Sequence, residues 1–224
     1  MFSQELSDYI LRGKEEIYLE YKQSMKWNIN AKSDAEKVVN FTIVRTMLAM
    51  SNNKDGGVIV VGRGQKSNGE FDMAGVKKVD LNSYKQDDIA RFLNGVSDPP
   101  IHFSIERDYL NIKGKKKWFV VIRVPESEYL PVICIKKEIR ERSKPETLGN
   151  MHLRKNAIYV RGKFPIESHE ISSVAEWREL IDRMIIKRKA DVARMAPHVI
   201  QKEKTIATVS DIRKFLEQKK KNDL

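Results

Sequence analysis

The sequence predicts an α+β fold in which a mixed or antiparallel sheet packs against helices. Capping-box patterns at Ser33–Glu36 and Ser173–Glu176 each precede a run of apolar residues with helical spacing. The β-branched run Val58–Val61 has the length of a buried strand. Farther along, the basic segment Gly114–Lys117 separates two apolar runs, which predicts a β-hairpin.

The beginning of the chain has the pattern of a strand, a helix and a second strand. Ser3 can cap a short first helix, and residues 17–22 alternate like a half-buried strand. The run Val38–Met50 is apolar on nearly every side, which predicts a buried central helix. Turn residues over 51–57 then lead into the β-branched strand.

The rest of the chain predicts a helix, a hairpin and a final helix. Tyr84–Leu93 has the pattern of a helix, and residues 101–107 and 118–124 are the expected hairpin strands. Residues 158–162 predict a last short strand. The amphipathic helix that begins after Ser173 is expected to pack on the sheet.

Composition describes an ordinary globular protein and excludes several classes. The 224 residues include 41% hydrophobic and 33% charged residues, which is neither a disordered nor a fibrous composition. A single cysteine, Cys134, excludes an internal disulfide, and the four histidines have no metal-ligand spacing. No apolar stretch is long enough for a membrane span, and no leader pattern is visible, so we expect a cytoplasmic protein that does not bind membranes.

We expect one domain over residues 1–196. Residues 197–224 then form a basic C-terminal helix or tail, which could also be the start of a longer region.

Positive charge is concentrated in the second half of the chain. The net charge is +11, yet residues 1–110 hold 15 basic and 16 acidic side chains. Residues 111–163 hold 14 basic and five acidic side chains. A basic block of this kind favours an anionic partner, of which nucleic acid is the main candidate.

The basic block predicts contacts with successive phosphates of RNA or DNA. A solvated loop is the alternative interpretation. The candidate nucleic-acid-binding residues are Lys115, Lys116, Lys117, Lys136, Lys137, Arg140, Arg142, Lys144, Arg154, Lys155 and Arg161. Among the nearby aromatic residues, Trp118 and Tyr159 could stack on bases, but both suit a core equally well.

Two further groups of residues could carry chemistry. Glu15 and Glu20 flank the first strand, with Lys22 two positions on, and supply oxygen ligands for a divalent cation and a cation beside a scissile phosphate. Acidic residues beside a strand are also common on surfaces. The turn with Asn53, Gly56 and Gly57 could let its backbone approach a phosphate, or could simply be a tight turn.

The order and spacing of several motifs resemble the Schlafen-type AlbA_2 domain over about residues 5–190. The matching segments are Glu20–Lys22, Ala49–Gly57, Val58–Gly62, Ala74–Val76, Val120–Pro125 with Pro131, and Tyr159–Gly162 with Glu167 and Ser168. The resemblance implies an α+β module that binds DNA or RNA, and in some members ATP.

In some Schlafen proteins three carboxylates cut structured RNA with a divalent metal. Glu15 and Glu20 match the first two, whereas Gly62–Gln65 stands where the third acid is expected. Asp55 and Asp72 are the nearest acidic residues in sequence that could replace it.

Three hypotheses follow. The first is a nucleic-acid-binding domain that recognises RNA or DNA mainly through the phosphate backbone. The second is an endoribonuclease that acts on structured RNA such as tRNA, with Glu15, Glu20 and Lys22 as catalytic residues and Mg²⁺ or Mn²⁺ held by the two glutamates. The third is an ATP- or nucleotide-binding regulatory module that assembles into a homo-oligomer.

Overall fold

The computed structural model describes residues 2–31, 34–136 and 153–194, with the side chains of 34–39 left out. The described elements are α1 (Gln4–Leu11), β1 (Leu19–Lys22), α2 (Asp34–Ser51), β2 (Gly57–Val61), α3 (Lys78–Leu81), α4 (Gln86–Asn94), β3 (Ser97–Asp98), β4 (Ser104–Ile112), β5 (Lys115–Val124), β6 (Ile133–Cys134), β7 (Tyr159–Arg161) and β8 (Ser168–Glu170).

A four-stranded mixed sheet with the order β1-β2-β5-β4 lies at the centre. β1 and β2 are parallel because α2 connects them as a crossover, while β5 is antiparallel to both β2 and β4. Two smaller sheets pair β3 with β6 and β7 with β8. The α+β class and the strand–helix–strand unit predicted from the sequence are thus confirmed.

Both faces of β2 are covered. Alternate residues of β2 point to opposite sides: Ile59 joins the cluster that includes α2, whereas Val58 and Val60 join the cluster that includes Leu6 and Ile10 of α1. We call these the α2 face and the α1 face. α2 is buried at nearly every position from residue 40 to 51, as its apolar sequence predicts.

β4 and β5 form the predicted hairpin, but its turn is shorter than expected. Ile112 pairs with Lys115, so only Lys113 and Gly114 form the turn, with φ of 49° and 75°. Two-residue turns with positive φ at both positions match the twist of the strands they join. The turn predicted over Gly114–Lys117 was therefore wrong in extent, and Lys115, Lys116 and Lys117 belong to β5.

Asn52, at the end of α2, holds three parts of the fold together. Its side chain is fully buried; Nδ2 donates to the carbonyls of Val132 at 2.8 Å and Tyr159 at 3.1 Å, and Oδ1 accepts from the Val132 amide at 2.7 Å. The side-chain amide of Asn52 thus satisfies backbone groups of Val132, just before β6, and of Tyr159 in β7.

The chain divides into two compact units, residues 1–180 and 181–224. Residues 174–180 of the first unit are helical, with Leu180 buried and Trp177 41% exposed. In the second unit residues 181–194 are helical, and the predicted boundary at 196/197 lies outside the described residues. Within the described ranges, none of the helices is long and apolar enough to cross a membrane.

We predict that Asn52→Ala lowers the free energy of unfolding by about 1–3 kcal/mol, because it leaves buried backbone groups without partners. Urea denaturation measures this loss. Asn68→Ala, which removes an exposed amide bonded to Glu70, should change stability by less than about 0.5 kcal/mol. Equal losses in the two variants would contradict the bridging role of Asn52.

Candidate functional site

Glu20 lies on the α2 face of β1, because it stands opposite Ile59 in the parallel register. It is only 6% exposed. One carboxylate oxygen pairs with Nζ of Lys22, and the other pairs with Nη1 of Arg161 from β7. Both oxygens of Glu20 are thus held by cationic side chains, and the second ion pair links the central sheet to the β7–β8 sheet.

Arg161 is wholly buried and makes further bonds around the start of β1. Its Nε donates to the Ile17 carbonyl at 3.3 Å, and Nη2 donates to the Glu16 carbonyl at 3.2 Å. Nη1 also reaches Oγ of Ser168 at 3.3 Å. A buried guanidinium with this many acceptors has a structural role, since each of its three nitrogens already donates to the protein.

Glu15 accepts a hydrogen bond from the edge of β1 that has no neighbouring strand in the described part of the central sheet. Its Oε1 accepts from the Tyr21 amide at 2.8 Å, next to the mutual backbone bonds of Glu16 and Leu19 at 3.0 and 2.9 Å. Burial raises the pKa of Glu15, and the charge of Glu20 adds to the rise, although the Tyr21 amide, Lys22 and Arg161 oppose it. The structure therefore brings Glu15, Glu20 and Lys22 together within a network of ion pairs and hydrogen bonds.

Neither Asp55 nor Asp72 joins Glu15 and Glu20 in a group of three metal-binding side chains among the described residues. Arg63 follows the end of β2 and lies on the α1 face, 4.4 Å from the ring centroid of Tyr21, with its guanidinium bonded to the carbonyls of Ile10, Phe71 and Asp72. The Asp72 carboxylate accepts from the Gly64 amide at 2.9 Å. The Asp55 amide donates to Glu126 at 3.3 Å.

This arrangement does not fit a divalent cation. Lys22 and Arg161 occupy both oxygens of Glu20, and they bring two positive charges to the place where the ion would bind. In the described parts of the chain, no group of three His, Cys, Asp or Glu side chains could hold a metal.

Arg45 of α2 is a charged residue near this network that the sequence analysis did not single out. Its Nε is buried and has no hydrogen-bond partner among the described residues. Burial lowers the pKa of Arg45, against the opposing effect of Tyr159, Glu167 and Glu20. The signal in the sequence was a single cation inside the apolar run Val38–Met50.

The turn at Asn53 is built by close packing. Nδ2 of Asn53 donates to the carbonyls of Ile17 at 3.4 Å and Gly56 at 3.3 Å. Gly56 has a φ of 74°, and a Cβ there would stand 2.2 Å from the Val124 carbonyl. A Cβ on Gly57 would stand 2.7 Å from the Met50 side chain. Packing thus accounts for both glycines, and phosphate binding by this turn stays a prediction.

A cleft of about 960 Å³ borders this turn. Asn53, Lys54, Asp55 and Gly57 line one side. Tyr18 and Phe103 contribute aromatic rings, and Arg123 contributes a cation that is paired with Glu5 at 2.9 Å.

The candidate nucleic-acid-binding residues lie on several segments. Exposed side chains are Lys115, Lys116, Lys136, Arg154 and Lys155. Lys117 is half-buried and donates to the Ala74 carbonyl at 3.2 Å, Arg154 pairs with Glu170, and Arg161 is buried as described. Lys137, Arg140, Arg142 and Lys144 lie outside the described residues.

We predict that Glu15→Gln is more stable than the wild type at pH 7. A raised pKa means that the folded protein holds the proton of Glu15 more tightly than the unfolded chain, so stability falls as the pH rises above about 4.5. Glutamine still accepts from the Tyr21 amide but does not ionise.

Thermal melts of both proteins from pH 4 to pH 8 check this, and the difference should shrink at the acid end. Glu70→Gln, at an exposed site 3.8 Å from Lys66, serves as the control. A Glu15→Gln variant less stable than wild type at pH 7 would show that the attraction of Lys22 and Arg161 outweighs burial.

The chain matches the model of a known protein family. The family model described as "Schlafen, AlbA_2" matches residues 15–161, from Glu15 to Arg161. A comparison with curated proteins gives no match. A solved structure, the DIP2311 protein from Corynebacterium diphtheriae, is similar with a TM-score of 0.40 and 12% identity, over 72% of this chain and 23% of that one. The match covers more than half of the chain and includes both Glu20 and Arg161 of the buried ion pair. The protein therefore belongs to the Schlafen AlbA_2 family.

Proposed function

We propose that this protein binds RNA or DNA mainly through the phosphate backbone, with the β4–β5 hairpin as a principal contact. The family supports nucleic-acid binding at a general level. The observation that carries the proposal is the hairpin tip: Lys113, Lys115 and Lys116 are all exposed there, within a stretch from residue 111 to 117 that contains no acidic residue.

Exposure decides which cations can contribute. Exposed lysines at the end of a hairpin can reach phosphates without breaking a buried ion pair, and each contact releases condensed counterions. Arg161 has no such freedom, because it would first have to leave Glu20 in a buried site. The phosphate contacts therefore come from exposed residues, and Arg161 has a structural role at β1.

The endoribonuclease hypothesis is supported less well by this arrangement. Glu20 would have to exchange Lys22 and Arg161 for a metal ion, and Arg63 lies on the other face of the sheet. The roles of Glu15, Glu20 and Lys22 supported here are structural.

Binding should weaken steeply with salt, and replacing hairpin lysines should reduce that dependence. For Lys115→Gln with Lys116→Gln, we expect the slope of log K against log salt to fall by about 0.7–0.9 for each lysine that contacts a phosphate. Filter binding or fluorescence anisotropy with tRNA, duplex DNA and single strands measures the slope.

Lys66→Gln, an exposed lysine paired with Glu70, is the matched control and should leave the slope unchanged. No detectable binding of any of these nucleic acids at low salt would overturn the proposal. A slope insensitive to the hairpin lysines would place the contact elsewhere.

The cleft beside the Asn53 turn favours a second candidate function, the binding of a nucleotide. Tyr18 and Phe103 offer rings for a base, and Lys54 offers a cation near the turn. Two other cations of the lining, Arg123 and Lys163, are already paired with Glu5 at 2.9 Å and Glu179 at 3.5 Å. A phosphate would have to compete with these glutamates.

If the cleft binds ATP, ATP should raise the melting temperature, because a ligand at 100 times its Kd stabilises the fold by about 2.7 kcal/mol. Lys54→Gln should reduce the shift, whereas adenosine and inorganic phosphate separate the contributions of base and phosphate. The absence of a shift with millimolar ATP would remove this candidate and leave the nucleic-acid proposal intact.

Light scattering of the full chain tests the separate hypothesis of a homo-oligomer.

A further inference from the structure

One face of the hairpin carries two aromatic rings together with two cations. Tyr109 stands opposite Trp118 in the antiparallel register, and Asn111 stands opposite Lys116, so all four side chains share a face. Arg107, two residues before Tyr109, lies on the same face. We call these five residues the ribbon face.

The ribbon face is accessible. Arg107, Asn111 and Lys116 are exposed, and Tyr109 and Trp118 are half-buried. β2 pairs with β5 only over Val120–Val124, and beside Trp118 the edge of β5 is taken by the Val76 amide, which donates to the Trp118 carbonyl at 2.7 Å. This hydrogen bond lies at the strand edge and not on the ribbon face.

The rings of Tyr109 and Trp118 lie close together, and both residues are partly exposed to solvent. Their centroids are 5.1 Å apart, with the planes at 62°. Nζ of Lys116 lies 4.5 Å from the centroid of Tyr109. A cation thus already occupies a position over a ring that another flat or positive group could take.

We infer that the ribbon face binds an unpaired strand of nucleic acid by stacking a base on Tyr109 beside Trp118, while Lys116 and Arg107 contact the flanking phosphates. The inference rests on the proposed function and narrows it to single strands. Aromatic rings next to cations are the general means of binding single strands without sequence preference, because every base has a π face. Both charged residues of the ribbon face are basic, so it complements the phosphate backbone.

Replacing the contact between Lys116 and the Tyr109 ring by a stacked base is favourable. A cation–π contact at an exposed site is weak, and base stacking on an aromatic side chain is generally stronger. The lysine stem is long and flexible, so the ammonium group can leave the ring and bind a phosphate when a base arrives. A duplex keeps its base faces inside the stack and cannot use Tyr109 in this way.

The test compares two labelled 12-mers with the same phosphates, oligothymidine and a fully abasic strand, on the full chain. Stacking predicts that the wild type binds oligothymidine about tenfold or more tighter than the abasic strand. Tyr109→Leu should bring this ratio close to one, whereas Tyr109→Phe keeps the ring and should preserve it. Tyr129→Leu, at a tyrosine 67% exposed and outside the ribbon face, is the matched control.

Intrinsic fluorescence gives an independent readout. Oligothymidine should quench the emission of the wild type, and Trp118→Phe should abolish most of the quenching while melting curves show that the variant is folded. Lys116→Gln should weaken both 12-mers alike, because it removes a phosphate contact rather than a stack.

The outcomes separate the inference from the proposed function. Equal binding of both 12-mers, or an unchanged ratio in Tyr109→Leu, would overturn stacking while nucleic-acid binding stands. Tighter binding of a duplex of the same length would also overturn it, in favour of a groove contact by the ribbon. Binding of no nucleic acid at low salt would overturn both.

Discussion

A buried ion pair between Glu20 and Arg161 joins two strands that are 141 residues apart in the chain. Because β1 is an edge strand, its free side needs partners from outside the sheet. Glu15 supplies one of them by accepting from the Tyr21 amide, and Arg161 binds the carbonyls of Glu16 and Ile17 just before the strand. Removing one member of such a pair generally costs about 3–5 kcal/mol, since the other charge stays buried without compensation.

The charged residues of this network and those of the hairpin have different surroundings. Glu20 is buried, and its carboxylate pairs with Lys22 and Arg161 inside the fold. The hairpin lysines face no such demand, because the strands that carry them are fixed by the nine-residue register of β4 with β5. Lys22 and Arg161 share one buried carboxylate, whereas Lys113, Lys115 and Lys116 at the hairpin tip are exposed.

Local pattern was enough to predict most of the longer helices and strands but not their relations, and it missed the short elements α3, β3, β6 and β8. Periodicity and capping identified α1, α2, β2 and the hairpin, because those signals reside in consecutive residues. The pairing of Glu20 with Arg161 and the bonds of Asn52 to Val132 and Tyr159 depend on residues 80 or more positions apart, which no local pattern encodes.

The same reason explains what was missed in the candidate sites. Tyr109 and Lys116 are seven residues apart and become neighbours only when a two-residue turn sets the hairpin register. From the sequence, Trp118 and Tyr159 were equally good candidates for stacking on bases. In the structure Trp118 is half-buried and Tyr159 is buried. Arg45 gave only the weak signal of a single charge in an apolar helix.

Burial decides what the Glu20 site can do. A carboxylate can serve a metal when its oxygens are free to replace the water shell of the ion. Here the pairing that makes the burial of Glu20 tolerable also uses both oxygens, and the neighbouring cations Lys22, Arg161 and Arg45 outnumber the two glutamates. An acidic residue at position 63 would not change this balance, since that position lies on the α1 face. The same residues that suggest a cleavage site from sequence therefore form, in the folded protein, a buried network that joins β1 to β7.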